Sequence, residues 1–362
     1  MKVFPEANNA STPDKTPEIL PDFALLSPDF IADAAEAVLD ELVDGTLVTY
    51  PSYVNRVYGL TDIKGNKFIA KFYRPGRWSE PALREEHAFI TECSAAGIPI
   101  PLPIQDTEGE TLNTICVENE NGTEQDFYFA LFPFIRGRGW EPESEESFLV
   151  MGRLMSALHT VGAKRISRFR QEIHPEKSTR PALRRLLDGE LVHPDIRNEF
   201  EDVCTATLDM FTEKFRTLKQ IRLHGDLHRG NALKADEDGE KSGNSIDKVL
   251  QPILIDFDDM SLGPAVQDLW LFLPGRVEDS KRELGLLIEG YDEIGSFDRS
   301  TIELIEPLRF MRMISYLDWQ ARQRFDANFQ YSFPDWGNRA FWIKELEDLL
   351  DQKRVILANV QP

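Results

Sequence analysis

The chain has 362 residues, with 41 Lys and Arg against 62 Asp and Glu and a formal net charge of −21. That balance argues against general nucleic-acid affinity and against anionic membrane surfaces, and the length suggests two domains or lobes. No apolar run approaches the ~20 residues of a membrane span. Cys93, Cys116 and Cys204 form no metal pattern or disulfide framework, and Met1–Pro21 lacks the apolar core of a signal peptide. The expectation is a cytoplasmic protein with a flexible tail over residues 1–21.

Ser27-Pro28 opens a helix as N-cap and first-turn proline, with Ile31, Ala34, Ala35, Val38 and Leu42 on one face and Gly45 at its end. Thr46 to Ile63 alternates as two strands around a turn. Ser52 in that turn offers a hydroxyl and a backbone N–H to a phosphate; a plain hairpin turn is the competing reading. Lys67 to Tyr73 is a strand with Phe68, Ala70 and Phe72 on one face and Ile69, Lys71 and Tyr73 on the other. A lysine among apolar neighbours calls for an anionic partner.

Leu83 to Ala96 reads as a helix carrying Glu85 and Glu86. Ile98 to Ile104 is a Pro-rich connection. Leu112 to Val117 and Phe127 to Phe132 are strands around the acidic turn Glu118 to Asp126, and Phe132 to Gly139 reads as a hinge between lobes. From Ser147 the spacing is helical to His159, a structural histidine at a helix C-terminus. Arg165 to Glu176 is basic and irregular, and Pro181 to Phe215 supplies helices without evident chemistry.

The chemistry concentrates in His224-Gly225-Asp226-Leu227-His228-Arg229-Gly230-Asn231 and in Ile253-Leu254-Ile255-Asp256-Phe257-Asp258-Asp259. Asp226 falls on a polar, Gly-flanked loop, Asn231 follows five residues later, and Asp256 ends a short apolar strand. A base, an amide oxygen and a carboxylate suit a hydroxyl acceptor beside Mg²⁺-bound phosphates. Turn formation is the competing reading for Asp226 or Asn231 taken singly. Lys234 to Lys248 reads as a flexible hairpin excursion. Met260 to Ala265 reads as a loop, with a helix starting at Val266 whose Asp268 buttresses the catalytic loop. Asp258 and Asp259 read as a solvated acidic turn, with a second metal as the other option. Lys281 to Leu357 is helical, its aromatics filling a core; Asn328 to Trp336 is less periodic and a candidate edge of an acceptor cleft.

The order Asp, Asn, strand-end Asp is that of kinase-type phosphotransferases, and His-Gly-Asp resembles the aminoglycoside phosphotransferase and choline kinase-like superfamily. The runs Lys71-Phe72-Tyr73-Arg74-Pro75 and Gly263-Pro264-Ala265-Val266-Gln267-Asp268-Leu269-Trp270 resemble the stress response kinase A family of bacteria, which are serine/threonine protein kinases.

The resemblance implies an α+β, two-lobed protein-kinase-like fold. Its N-lobe, a small antiparallel β-sheet lobe, covers residues 22–134. The larger, mainly helical C-lobe covers 135–362. The implied activity is ATP- and Mg²⁺-dependent transfer to Ser or Thr of a protein in a stress response; a small-molecule alcohol kinase of choline, aminoglycoside, homoserine or sugar-amine type is the alternative. The implied roles are Asp226 as proton acceptor, Asn231 and Asp256 as magnesium ligands, and Ser52 and Lys71 at the ATP site. Glu86 pairs with Lys71, with Glu85 as the fallback. The acidity is compatible with a cationic acceptor but reads first as solubility. The expected partners are a protein substrate or a small hydroxyl acceptor, without nucleic acid or membrane, and the protein is expected to be a monomer.

Overall fold

A helix laid over one face of an antiparallel sheet forms the first layer of the structure, a computed structural model that describes residues 23–52, 54–118, 122, 124–235 and 251–360. Helix α1 (Pro28–Leu39) starts where the Ser27 hydroxyl accepts from the Phe30 N–H at 3.3 Å. It ends at Asp40, which takes the left-handed conformation (φ 50°). The helix therefore stops before Gly45, which lies inside β1 (Val43–Tyr50) at φ +83°. Strands β2 (Arg56–Asp62), β3 (Lys67–Phe72), β4 (Asn113–Glu118) and β5 (Glu124–Pro133) complete a five-stranded sheet of order β1-β2-β3-β5-β4, antiparallel throughout.

The period-2 pattern of β3 divides its side chains as the sequence indicates. Ala70 and Phe72 enter a core with Ile31, Ala35 and Val38 of α1 and with Phe127 and Phe129 of β5, so burial of apolar surface holds helix to sheet. Lys71 and Ile69 face the opposite way, into a cleft. Helix α2 (Glu80–Ala95) crosses behind that cleft; it begins one turn earlier than its apolar pattern suggests, because Pro81 occupies a first-turn position.

The expected hinge is shorter than the Phe132 to Gly139 stretch. Pro133 still pairs with Phe68, and β6 (Gly137–Gly139) pairs with β8 (Ala232–Ala235). Helix α3 (Glu145–Gly162) runs past His159. Helices α4 (Arg180–Asp188), α5 (Arg197–Asp209) and α6 (Thr212–Phe215) follow. Strands β7 (Ile221–Leu223), β8 and β9 (Ile253–Leu254) carry the catalytic loop, and β8 and β9 pair antiparallel. Met260 to Ala265 is not all loop: β10 (Ser261–Gly263) pairs with β7. Helices α7 (Val266–Phe272), α8 (Lys281–Asp292), α9 (Ile305–Arg322), α10 (Ala327–Ser332) and α11 (Arg339–Val360) complete the second lobe. Its core joins Leu154 and Leu158 of α3, Phe200 of α5, Leu287 of α8, Ile314 of α9 and Trp342 of α11.

The expected tail, the acidic turn at residues 119–121 and 123, and the excursion from residue 236 to 250 lie outside the described residues. Among the described residues, no helix is long and apolar enough to cross a membrane.

One ionic clasp joins the lobes. Asp326, buried between α9 and α10, pairs with Arg56 at 3.1 Å and with Arg74 at 2.8 Å. Phe23 lies under both guanidinium groups. Burial alone would raise the Asp326 carboxyl, but the Arg74 hydrogen bond and the two Arg charges outweigh it, and its pKa lies below the ordinary value. A depressed carboxyl stabilises the fold above the unfolded Asp value, and that contribution is lost as pH falls through the folded pKa. Asp326→Ala removes the carboxylate that both guanidinium groups share and is expected to lower unfolding stability by about 3 kcal/mol at neutral pH. Urea denaturation of wild type and variant from pH 7 down to pH 3 checks both points. The gap between the two proteins should narrow as the pH falls.

Candidate active site

A cavity of about 400 Å³ opens between the lobes. One end is apolar, with Ile69, Ile90, Phe132, Leu233 and Ile255 on its walls; the other carries Ser52, Lys71, Glu86 and Asp256. The start of the expected hinge, Phe132 to Phe134, borders it, and the Phe134 N–H donates to Lys67 O at 3.1 Å. Ser52 accepts from the Asn55 N–H at 3.3 Å, and Asn55 Oδ1 accepts from the Arg74 N–H at 3.1 Å, which fixes the turn at the cavity mouth. Tyr53 lies outside the described residues.

Lys71 is buried, and its ammonium faces Asp256 at 2.9 Å, Glu86 at 3.6 Å and Asp258 at 3.8 Å. Burial alone would deprotonate it, but these carboxylates outweigh burial and raise its pKa well above the ordinary lysine value. Adjacent positions on α2 point about 100° apart, so the two glutamates part company. Glu86 turns to Lys71 and to Arg170, whose Nη2 donates to it at 2.6 Å. Glu85 accepts from Ser167 Oγ, from the Arg168 N–H at 2.7 Å and from the Phe169 N–H at 3.0 Å, so it anchors the loop after α3. His87 meets the Tyr73 hydroxyl at 2.9 Å and, by burial and the nearby Lys71 and Arg170 charges, has its pKa pushed down to about 3.

The basic stretch after α3 is therefore part of the site. Arg170 also donates to Asp258 O at 2.6 Å and to Ala82 O at 2.8 Å, and lies 4.4 Å from the Trp78 ring. The acidic turn after Asp256 also differs from expectation. Asp258 is buried, paired with Arg77 at 3.2 Å and with Lys71, while Asp259 pairs with Arg77 and stays half-exposed. Arg77 supplies the counter-charge that makes an acidic turn tolerable in the interior.

The catalytic loop hangs on Asp268. Its two oxygens accept from the His224 N–H at 3.0 Å and the Gly225 N–H at 2.9 Å, and His159 Nε2 donates to it at 2.9 Å. His159 is buried and structural, as its position suggests. Gly225 has φ +85°, and a Cβ there would meet Asp259 O at 2.0 Å, so no other residue fits. His224 Nε2 donates to Ile255 O at 2.9 Å, tying the loop to the link between β9 and Asp256. Asn231 Nδ2 donates to Asp226 O at 2.9 Å and the Ile255 N–H donates to Asn231 O at 3.0 Å. The loop's own hydrogen bonds thus draw Asp226, Asn231 and Asp256 together.

Asp226 Oδ1 accepts from Arg312 Nη2 at 2.6 Å, and Oδ2 lies 3.5 Å from His228 Nε2. Burial would raise the carboxyl, but the His228 hydrogen bond and the Arg312 charge hold its pKa at about 2. Such a group is ionised at neutral pH. Among the described residues no three or more His, Cys, Asp and Glu side chains form a metal cage. Magnesium needs none, since it keeps waters and phosphate oxygens and takes one or two carboxylates. The donor set fits: Asn231 has its amide oxygen left to accept once Nδ2 is engaged, and Asp256, in a left-handed turn (φ 62°), is half-exposed at the cavity wall.

The family model described as the phosphotransferase enzyme family matches residues 47–305. The serine/threonine protein kinase RdoA of Salmonella typhimurium is 33% identical over 337 residues, covering 92% of this chain and 94% of that protein. Stress response kinase A of Escherichia coli K12 is 33% identical over 341 residues, with the same shares. Among solved structures, amicoumacin kinase hAmiN in complex with AMP-PNP and Ca²⁺ has a TM-score of 0.66 at 17% identity, covering 90% of this chain and 94% of that one. A microcompartment-associated aminopropanol kinase has a TM-score of 0.63 at 15% identity, covering 90% and 98%. These likenesses show a two-lobed α+β kinase-like fold.

The two glutamates give a direct check on the site. Glu86→Ala is expected to weaken ATP binding at least tenfold, because Lys71 and Arg170 lose a shared counter-charge. Glu85→Ala is expected to leave ATP affinity within about twofold and to lower stability alone, through the loop it anchors. Titration with a fluorescent ATP analogue, set beside thermal unfolding of each variant, separates the two.

Proposed function

The chain belongs to the phosphotransferase enzyme family and, within it, to the stress response kinase A group, and from that premise we propose that this kinase moves the γ-phosphoryl group of ATP, with Mg²⁺, to Ser or Thr hydroxyls of proteins in a stress response. The observation that carries the reading is a cavity walled by a carboxylate-ringed Lys71 and by Asp256, with the loop of Asn231 and the ionised Asp226 hydrogen-bonded to the Ile255 backbone beside it. Relatives twice as similar as the fold neighbours bear the name of a serine/threonine protein kinase or stress response kinase. Cytoplasmic location and a monomeric state complete the reading. Three free cysteines accord with a reducing compartment.

In this mechanism Lys71, oriented by Glu86, holds phosphate oxygens, and Ser52 offers its turn to them. Asn231 and Asp256 hold magnesium, which when bound neutralises charge developing on the phosphates. The acceptor oxygen forms a bond to the γ-phosphorus as the bond to ADP's bridging oxygen breaks, and the hydroxyl proton passes by way of Asp226 to solvent. With a pKa near 2, Asp226 takes that proton late and works chiefly by aiming the hydroxyl. That suits a loose transition state in which positioning and electrostatics supply most of the acceleration.

A second reading, an alcohol kinase for small molecules, is favoured by the fold neighbours, whose names specify small acceptors. Transfer of label from [γ-³²P]ATP to a generic protein acceptor and, separately, to a pool of amino alcohols and aminoglycosides decides between the two. Asp226→Ala is expected to retain ATP binding and to lose transfer by a factor of about 10² to 10⁴. Unchanged transfer removes Asp226 from its role, and label on small molecules alone moves the function to the second reading.

A further inference from the structure

Arg312 touches the residue at the centre of the phosphoryl chemistry and already lowers its pKa. It lies on α9, far in sequence from every motif, and its Nη2 donates to Asp226 Oδ1 at 2.6 Å. Asp226 is its sole ion-pair partner among the described residues, and the Arg312 side chain is 42% exposed. A guanidinium carries five N–H donors in a rigid fork, and the contact with the carboxylate is made through Nη2. One turn further along the same exposed helix face is Tyr316, with its ring stacked on Trp319 at 5.1 Å and 14°. The helix thus continues from the cation into a flat aromatic surface. The partner oxygen of Asp226, Oδ2, already faces His228. An acceptor hydroxyl that reaches Asp226 must come in beside a fixed positive group.

We propose that Arg312 sets acceptor specificity, favouring hydroxyls that neighbour a carboxylate or phosphate and disfavouring hydroxyls that neighbour an ammonium. The proposal rests on the reading that Asp226 receives the acceptor hydroxyl, and it names the chemical class of that acceptor. The planar fork matches a carboxylate or phosphate in two parallel hydrogen bonds. An ammonium brought to the same place meets a like charge in a partly desolvated spot, a contact that rejects wrong partners. The net charge of −21 does not reverse this: exposed charges are screened beyond ~8 Å at physiological salt, whereas Arg312 is in contact with the reacting position. An acidic protein can therefore present one guanidinium, already partnered by Asp226, at the acceptor position.

The test uses the full-length protein with Mg²⁺ and [γ-³²P]ATP. Two serine peptides differing only in Glu or Lys flanks are offered as acceptors, and glycerate and ethanolamine are offered as small alcohols. Each alcohol is also scored as an inhibitor of ATP hydrolysis, so a compound that binds without being phosphorylated still reports. Wild type should favour the Glu peptide and glycerate on the order of tenfold in transfer or in inhibition. Arg312→Ala should erase the preference, and Arg312→Lys should keep part of it. A preference confined to the small alcohols upholds the role of Arg312 while contradicting the protein-acceptor reading. The proposal is overturned by a preference that survives in Arg312→Ala, by a wild-type preference for the cationic members, or by neither class binding. It is also overturned if Arg312→Ala raises the KM for ATP and slows transfer to water and to every acceptor alike, since Arg312 would then serve the phosphoryl group.

Discussion

The Lys71 ammonium cannot be buried alone, and much of the cleft follows from how it is compensated. A bare cation in a protein interior costs far more than a fold can tolerate, so it must be ringed by carboxylates, and those carboxylates must be compensated in turn. Glu86 answers from α2, and Asp256 and Asp258 answer from the far lobe. Arg77 and Arg170 then balance the excess of negative charge. The network draws on both lobes, so the geometry of the phosphate end is fixed by electrostatics shared between them. The apolar end needs no such device; ordinary packing of Ile69, Ile90 and Ile255 shapes it.

A second cross-lobe network repeats the principle with different residues. Asp326 gathers Arg56, at the start of β2, and Arg74, just beyond the end of β3. Arg74 in turn holds Asn55 and the Val54 carbonyl, so the turn that carries Ser52 is tied through Arg74 to the second lobe. The turn at the cavity mouth is thereby held from both lobes. Beneath the loop at 224–231, Asp268 answers backbone groups instead of cations: it satisfies two backbone N–H groups that the sharp turn at Gly225 would otherwise leave unpaired in the interior.

Local patterns in the sequence carry much of this. The alternation along β3 placed Lys71 on the cleft face, and the spacing of Asp226, Asn231 and Asp256 is legible because five residues and one strand end bring them together. Asp268 was readable for the same reason, one helical turn inside a recognisable run. Arg77, Arg170, Arg312 and Asp326 were not. Each acts through a contact with residues far away in sequence, 182 positions for Arg77 and Asp259 and 252 for Arg74 and Asp326. No periodicity reports such pairs, and a basic stretch such as 165–176 reads as solvated until a partner is seen. The acidic turn failed for the same reason: Asp258 is buried only because Arg77 and Lys71 meet it there. Helix ends slipped by a few residues where a left-handed Asp40 or a first-turn Pro81 overrode the apolar pattern.

The account makes Lys71 the pivot, with its contact to Asp256 and its contact to phosphate competing for one ammonium. A crystal structure with AMP-PNP and Mg²⁺ tests this most directly. The account predicts the metal bound through Asn231 and Asp256, Lys71 on a phosphate oxygen with Glu86 still beside it, and Glu85 unmoved on the loop at 167–169. A metal held elsewhere, or nucleotide bound with Lys71 still on Asp256, would contradict it.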